Sequence, residues 1–511
     1  MEIVMKKMLK RVLSAIMAAA CVCTCLAGCG KKVEESSGTK VVIYCAGSMV
    51  SGANDAAVKK AIEKKFKEDT GNEINLEIKL FTNADFNTKV DLAIAGGDQI
   101  DGIVNYIGSS DALDRFISRN NFATDLTELV NEYGTHLKSV IPEIAFDHAT
   151  YNGQLAAIPS VTQENAFGIL IRTDWLKEAN LEIPTTISEF ETVMEAFKKR
   201  DGNVVPLVGY SWDLDRVILA GAYGTVSSSY YYLDDSGTLL PGFLNPKYKN
   251  VLSKCYEWVK SGWWDIDNAS RTESSIDNLF VGGRAGIYVQ YPEIYHLIEI
   301  ARKCKQADSK ATFEVIGPLE GPNGDKGVQK QNVAFSGMMV PKSSKNAELV
   351  VKYMDWMVSD VKNYELCAYG IEGTDWVDSG EGKRGLPDKN STDVVNMYSG
   401  CYAPIEFTNL SDRVWDTYSE QELGWIEAVR SYPTFSDARE GVFFPYLDND
   451  MSSKYSSAST DFQTNTLSPA RAGLKDTSKT FESAVEAFKL SNKDYLEWMN
   501  QYYKENKKTY N

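Results

Sequence analysis

Val41-Val42-Ile43-Tyr44 is an unbroken apolar run between Thr39-Lys40 and Gly47, and it reads as a buried strand. After it, Val58, Ala61, Ile62 and Phe66 recur at helical spacing until Gly71, a helix stop. Ile74, Leu76, Ile78 and Leu80 then alternate as a strand. Phe86, Val90, Ala93 and Ile94 return to helical spacing and end at Gly96-Gly97, and Ile100 to Ile107 is strand again. Strand and helix alternating over residues 41–107 predict βαβ units on a parallel sheet, so the fold class is α/β. Open sheets of this kind bind ligands beyond the carboxyl ends of their strands. Gly47-Ser48-Met49 closes the first strand there, which makes Ser48, with its hydroxyl and neighbouring backbone N–H groups, a candidate ligand contact.

Downstream, Ser188 with Glu191 reads as a capping box opening a helix that carries Phe190, Met194 and Phe197. Tyr232 to Leu240 reads as a hairpin turning at Asp234-Asp235-Ser236-Gly237, and Gly321-Pro322-Asn323-Gly324 as a tight surface turn. Trp263-Trp264 reads as a core corner. Past residue 400 the pattern is mainly helical, with Phe481, Val485, Phe488, Leu490, Tyr495 and Trp498 spaced for packing. No internal repeat is evident.

Upstream, residues 30–39 are rich in Ser, Gly and charge and too poor in apolar groups to order themselves, so they read as a flexible leash. Before them, Lys6, Lys7, Lys10 and Arg11 precede an apolar stretch from Val12 to Leu26, which closes in Leu26-Ala27-Gly28-Cys29. The run is too short for a membrane span and has the order of an export signal. A Cys directly after Ala27-Gly28 resembles the lipidation site of bacterial lipoproteins. The expectation is a signal peptide over 1–28, a mature terminus at lipid-bearing Cys29, and a tether over 29–39 on the outer face of the cell membrane.

Removing residues 1–28 takes away four of 54 basic and one of 70 acidic residues, moving the formal charge from −16 to −19. Such a field repels nucleic acid and other polyanions and leaves an uncharged ligand unaffected. Five cysteines lie beyond the anchor, Cys45, Cys255, Cys304, Cys367 and Cys401, and their wide spacing gives no zinc or redox motif; they read as mostly buried thiols. Three histidines, His136, His148 and His296, provide little for a metal site or a Ser-His triad. Asp265-Ile266-Asp267-Asn268 hints at a calcium loop, but Ala269 replaces a ligand and the glycine is missing. No cofactor or metal is assigned.

Four segments together resemble one family. Leu170-Ile171-Arg172-Thr173-Asp174-Trp175-Leu176 through Pro184-Thr185-Thr186, then Phe280-Val281-Gly282-Gly283-Arg284-Ala285-Gly286-Ile287, Tyr353 to Asp360, and Tyr369-Gly370-Ile371-Glu372-Gly373-Thr374-Asp375-Trp376 are similar, in this order, to extracellular solute-binding lipoproteins of bacterial ABC importers, in the maltose-binding-protein-like carbohydrate family. The resemblance implies a type II, periplasmic-binding-protein-like clamp of two lobes, each an open sheet flanked by helices, with a mainly helical C-terminal extension. It implies chain crossings near 160–165, 289–292 and 345–350, with lobe one formed by 40–162 and 290–345 and lobe two by 163–289 and 346–511. It also implies a monomer that takes a carbohydrate ligand and meets ABC permease subunits.

Neutral sugars present apolar C–H faces rimmed by hydroxyls, so their binders use aromatic platforms and polar pincers. By position against the family, Gln163, Glu164 and Asn165 fall at the first crossing and Tyr291 at the second. Trp212 precedes Gly221-Ala222-Tyr223-Gly224 at the distance of a lobe-two platform, and Trp376 ends the last family segment. Two other readings stay open. One is a peptide or other small-solute binder, and the other is a surface glycosidase. Gly209-Tyr210-Ser211-Trp212-Asp213 starts like a nucleophile elbow but ends in Asp, and no phosphate loop, dinucleotide fingerprint or H-E-x-x-H is present, so the chain reads as a binder.

Overall fold

The computed structural model describes residues 38–46, 55–107, 113–118, 122–161, 167–290, 292–332, 334, 336–388, 402–411, 413–447 and 449–510. Cys29, Ser48, Gln163, Glu164, Asn165, Tyr291 and Cys401 lie outside them.

Nine strands build the two main sheets: β1 (Thr39–Ala46), β2 (Ile74–Phe81), β3 (Gly102–Tyr106), β4 (Ile158–Pro159), β5 (Ile169–Arg172), β6 (Leu207–Val208), β7 (Ile287–Tyr288), β8 (Phe313–Ile316) and β9 (Ser336–Met339). The first sheet runs β2-β1-β3-β9-β4. β1 pairs in parallel with β2, Val41 opposite Leu76, and with β3, Ile43 opposite Gly102, as the alternation over 41–107 predicts. β9 is antiparallel to both β3 and β4. Helices Asp55–Thr70 and Asn83–Gly96 connect the parallel strands, and Gly71 (φ 74°) and Gly97 (φ 73°) stop them in the left-handed region. Val58, Ile62 and Phe66 point into a core shared with Ile43, Leu76 and Phe86.

The second sheet runs β8-β5-β7-β6, with β6 and β7 parallel to each other and β5 antiparallel to β7 and β8. Its two faces are covered by separate apolar clusters. One holds Phe190, Phe197, Trp258 and Trp264, and the other holds Leu170, Tyr288, Leu297, Ile298 and Phe313. The hairpin forms as expected, Tyr231–Leu233 against Leu239–Pro241 with Gly237 at φ 77°. The capping box is displaced from the one expected at Ser188 and Glu191. Thr186 and Glu189 exchange the bonds, because Ile187 N–H donates to Glu320 O (2.9 Å) and fixes the chain entry two residues earlier.

The division into lobes departs from the expected one. The helix Ile294–Ala307 packs Leu297, Ile298, Ala301 and Cys304 against the second sheet, and β8 extends that sheet. Residues 293–328 therefore belong with lobe two. Conversely, the helix Ala347–Ser359 buries Val350, Val351, Tyr353 and Met354 in the first core, with Cys367, Tyr402 and Phe407. The chain leaves the first core after Val161, returns to it by Ala334, leaves again after Phe407 and touches it once more at Phe443. Among the described residues, Val289 and Ile294 both pack on the second sheet and Val340 and Val350 both in the first core, so the crossings fall elsewhere than expected, because amphipathic helices stay on the sheet that covers their apolar face. The remainder is mainly helical, with helices at Glu420–Arg430, Asp450–Phe462, Phe481–Ser491 and Lys493–Asn506 and two short strands at Val414–Trp415 and Thr434–Phe435. Cys255, Cys304 and Cys367 are buried free thiols, and Cys45 is buried. Among the described residues, no helix is long and apolar enough to cross a membrane.

Candidate functional site

The connections between lobes pack side by side. Ser160 N–H donates to Ser336 O (2.8 Å), and Ser336 N–H returns a bond to Ser160 Oγ (3.1 Å). Val161 N–H donates to Glu406 O and Thr408 N–H to Val161 O, each at 2.9 Å. All three connections thus form a short laced ribbon, which is how a few element-terminal residues make a hinge. β3 ends at this ribbon, because Tyr106 lies opposite Ser336. β5 begins eight residues after Val161, and β6 and β7 run antiparallel to it, so they end on the side where β5 starts. The carboxyl edges of both sheets therefore flank the hinge, where open α/β sheets place ligands.

At the lobe-two edge, the chain leaves β6 through Gly209 at φ 150°, and a Cβ added there would lie 2.5 Å from Val289 O. Glycine lets β6 and the end of β7 approach this closely while the backbone turns into the short helix Ser211–Leu214. That turn presents Trp212, 46% exposed, stacked on Tyr210 with ring centroids 4.2 Å apart and planes 21° from parallel. An exposed tryptophan held rigid by a second ring is a platform for an apolar face.

The helix runs straight into a π-helical turn, Asp215–Leu219, a form common at functional sites. On it Arg216 donates through Nε to Asp213 Oδ1 (2.9 Å), with Nη2 2.7 Å from the same oxygen. The guanidinium lies 4.5 Å from the centre of the Phe167 ring, and Glu293 Oε1 is 3.7 Å from Nη2. Phe167 follows the first crossing and bridges to Glu293, just beyond β7. Trp212, Arg216 and Glu293 are thereby gathered at one end of lobe two. Asp215 accepts from Ser228 N–H, Ser228 Oγ and Tyr248 O–H beneath this turn, and burial raises its carboxyl above the usual range. Beside β7, Tyr288 O–H donates to Asp277 (2.6 Å), which also accepts from Gln290 Nε2 (3.2 Å), so the end of this strand is held by part-buried polar contacts.

Of the sequence candidates, only Trp212 among the described residues has the exposure of a platform. Trp376 is a correction. It is 3% exposed, donates from Nε1 to Gly370 O (3.1 Å), and packs with Leu386 and Trp415, so it offers no face to a ligand. Arg216 and Glu293 escaped the sequence reading, since charged residues at helix starts ordinarily mark a solvated face. The elbow-like stretch serves to carry Trp212. His136 instead pairs with Asp355 (2.7 Å), His296 with Tyr288 (2.9 Å), and His148 is buried. At the hinted calcium loop, Asp265 is paired with the Arg271 guanidinium, and Asp267 Oδ2 is 3.7 Å from it, so an internal cation occupies the acidic corner.

Residues 61–371 match a family model described as bacterial extracellular solute-binding protein. Lipoprotein LipO of Bacillus subtilis is 24% identical over 375 residues, 69% of this chain and 71% of its own. The fructooligosaccharide ABC transporter substrate-binding protein FusA of Streptococcus pneumoniae is 24% identical over 322 residues, 58% of this chain and 57% of its own. The structure of the N-glycan transport solute binding protein NgtS of Streptococcus pneumoniae superposes with a TM-score of 0.66 at 15% identity, covering 91% of this chain and 98% of that one. With the family model spanning more than half of it, and the two-lobed fold in common, the chain belongs to the bacterial extracellular solute-binding proteins.

Proposed function

We propose that this chain captures a carbohydrate, most readily an oligosaccharide, between its lobes and delivers it to an ABC permease while anchored to the outer face of the membrane by lipid on Cys29. The observation that carries the reading is the exposed, ring-backed Trp212 at the carboxyl end of β6, with Arg216 and Glu293 beside it at the hinge. An aromatic face with charged pincers suits a sugar's apolar C–H surface and hydroxyl rim. The names of FusA and NgtS, which specify fructooligosaccharide and N-glycan, support the same class. Gln163, Glu164, Asn165, Tyr291 and Ser48 remain proposed contacts because their neighbours in sequence reach the same edges. The protein acts as a monomer, binding without chemistry.

The test is a thermal-shift screen of the soluble fragment from residue 30 against oligosaccharides, peptides and amino acids. Ligand at about a hundredfold above its Kd stabilises by roughly 2.7 kcal/mol, enough to raise Tm by several degrees. An oligosaccharide should shift the transition and be recovered intact, and Trp212→Ala should abolish the shift while leaving the unliganded Tm within about a degree. A response to peptides alone, or a cleaved sugar, would reassign the chain. For the anchor, labelled palmitate should mark the native protein and not Cys29→Ala; equal labelling would remove it.

A further inference from the structure

Arg216 is the cation of the candidate site, and whether it is available decides what charge a ligand can carry. A guanidinium clasps a ligand carboxylate best with two parallel N–H bonds. Here the Nε–Nη2 edge is already spent on Asp213, whose side chain is fully buried and so holds its position. The flat face rests on Phe167, itself 1% exposed. The other acidic oxygen near the guanidinium among the described residues is Glu293 Oε1, 3.7 Å from Nη2 on a side chain 36% exposed. One cation thus faces two carboxylates. The local balance is negative, in a chain whose net charge is −16.

Resting on the carbohydrate reading above, we infer that Glu293, backed by the Arg216–Asp213 pair, selects uncharged glycans and rejects uronate sugars. A ligand carboxylate would meet Glu293 at close range, because the guanidinium edge left over from Asp213 already has Glu293 Oε1 3.7 Å from its Nη2. A neutral ring instead lays its C–H face on Trp212 and donates hydroxyls to the two oxygens of Glu293. Arg216 orients that carboxylate, a positioning role, while Glu293 touches the ligand.

The experiment is isothermal titration of the soluble fragment from residue 30 with matched pairs, neutral galacto- and fructo-oligosaccharides against oligogalacturonates of the same length. Native protein should bind a neutral oligosaccharide and hold the uronate at least tenfold more weakly. Glu293→Gln should narrow that ratio by lifting uronate binding, and Asp213→Asn, which removes the second negative charge facing Arg216, should narrow it further. Because Asp213 is buried, its variant could fail to fold, and Glu293→Gln on the partly exposed side chain decides the matter alone. Tighter binding of the uronate by the native protein, or an unchanged ratio in Glu293→Gln, overturns the inference while leaving carbohydrate capture intact. Failure of both sugar classes overturns the carbohydrate reading and this inference with it.

Discussion

His148 shows how one residue reports on the join between lobes. It sits in the first lobe, 5% exposed, with both ring nitrogens unpartnered. Burial, and after it the charge of Arg439, push it down to about 4, with Asp437 pulling the other way and Lys507 adding to the depression. In the unfolded chain a histidine titrates near 6.5. As pH falls below that value, the unfolded state takes a proton that the folded state refuses. Stability contributed by neutral His148 is therefore full above about pH 6.5, is lost as pH falls toward about 4 and is constant below. Between pH 7 and pH 5 the native protein should lose about 2 kcal/mol more unfolding free energy than His148→Gln, whose side chain does not titrate. Urea unfolding at both pH values measures it, and parallel losses in the two proteins would refute the assignment.

At the scale of elements, local pattern was readable and partnership was not. The alternation of 41–107 translated directly into β1, β2, β3 and their helices, because period and stop glycines are local properties. The lobe assignment of Ile294–Ala307 was not readable, since an apolar stripe of Leu297, Ile298, Ala301 and Cys304 would suit either sheet and only pairing of β8 with β5 settles it. Thr186 and Ser188 both begin a capping pattern, and the tertiary bond from Ile187 to Glu320 chooses between them. In the site, Trp212 was legible only through the family resemblance, by its distance ahead of Gly221-Ala222-Tyr223-Gly224. Trp376 was misassigned because nothing in its segment foretells Leu386 and Trp415 closing over it. Arg216 and Glu293 lie far apart in sequence, and the fold alone brings them to 3.7 Å.

At the scale of the whole molecule, the two lobes are joined by the laced hinge and by a C-terminal strap. Val442 packs into the second core while its neighbour Phe443 packs into the first. Lys508 and Tyr510 both reach Asp147 of the first lobe, at 2.6 and 2.7 Å. The account's central claim is that ligand is held between these lobes, against the carboxyl edges of both sheets. Hydrogen exchange with and without a bound oligosaccharide tests it most directly, because exchange reports local opening. The account predicts slowed exchange in peptides covering 158–168, 207–217 and 287–296, together with unchanged exchange at the distal recess of about 610 Å³ bordered by Lys65, Asp69, His136 and Asn363. Protection confined to that recess, with the hinge and the Trp212 turn unaffected, would contradict it.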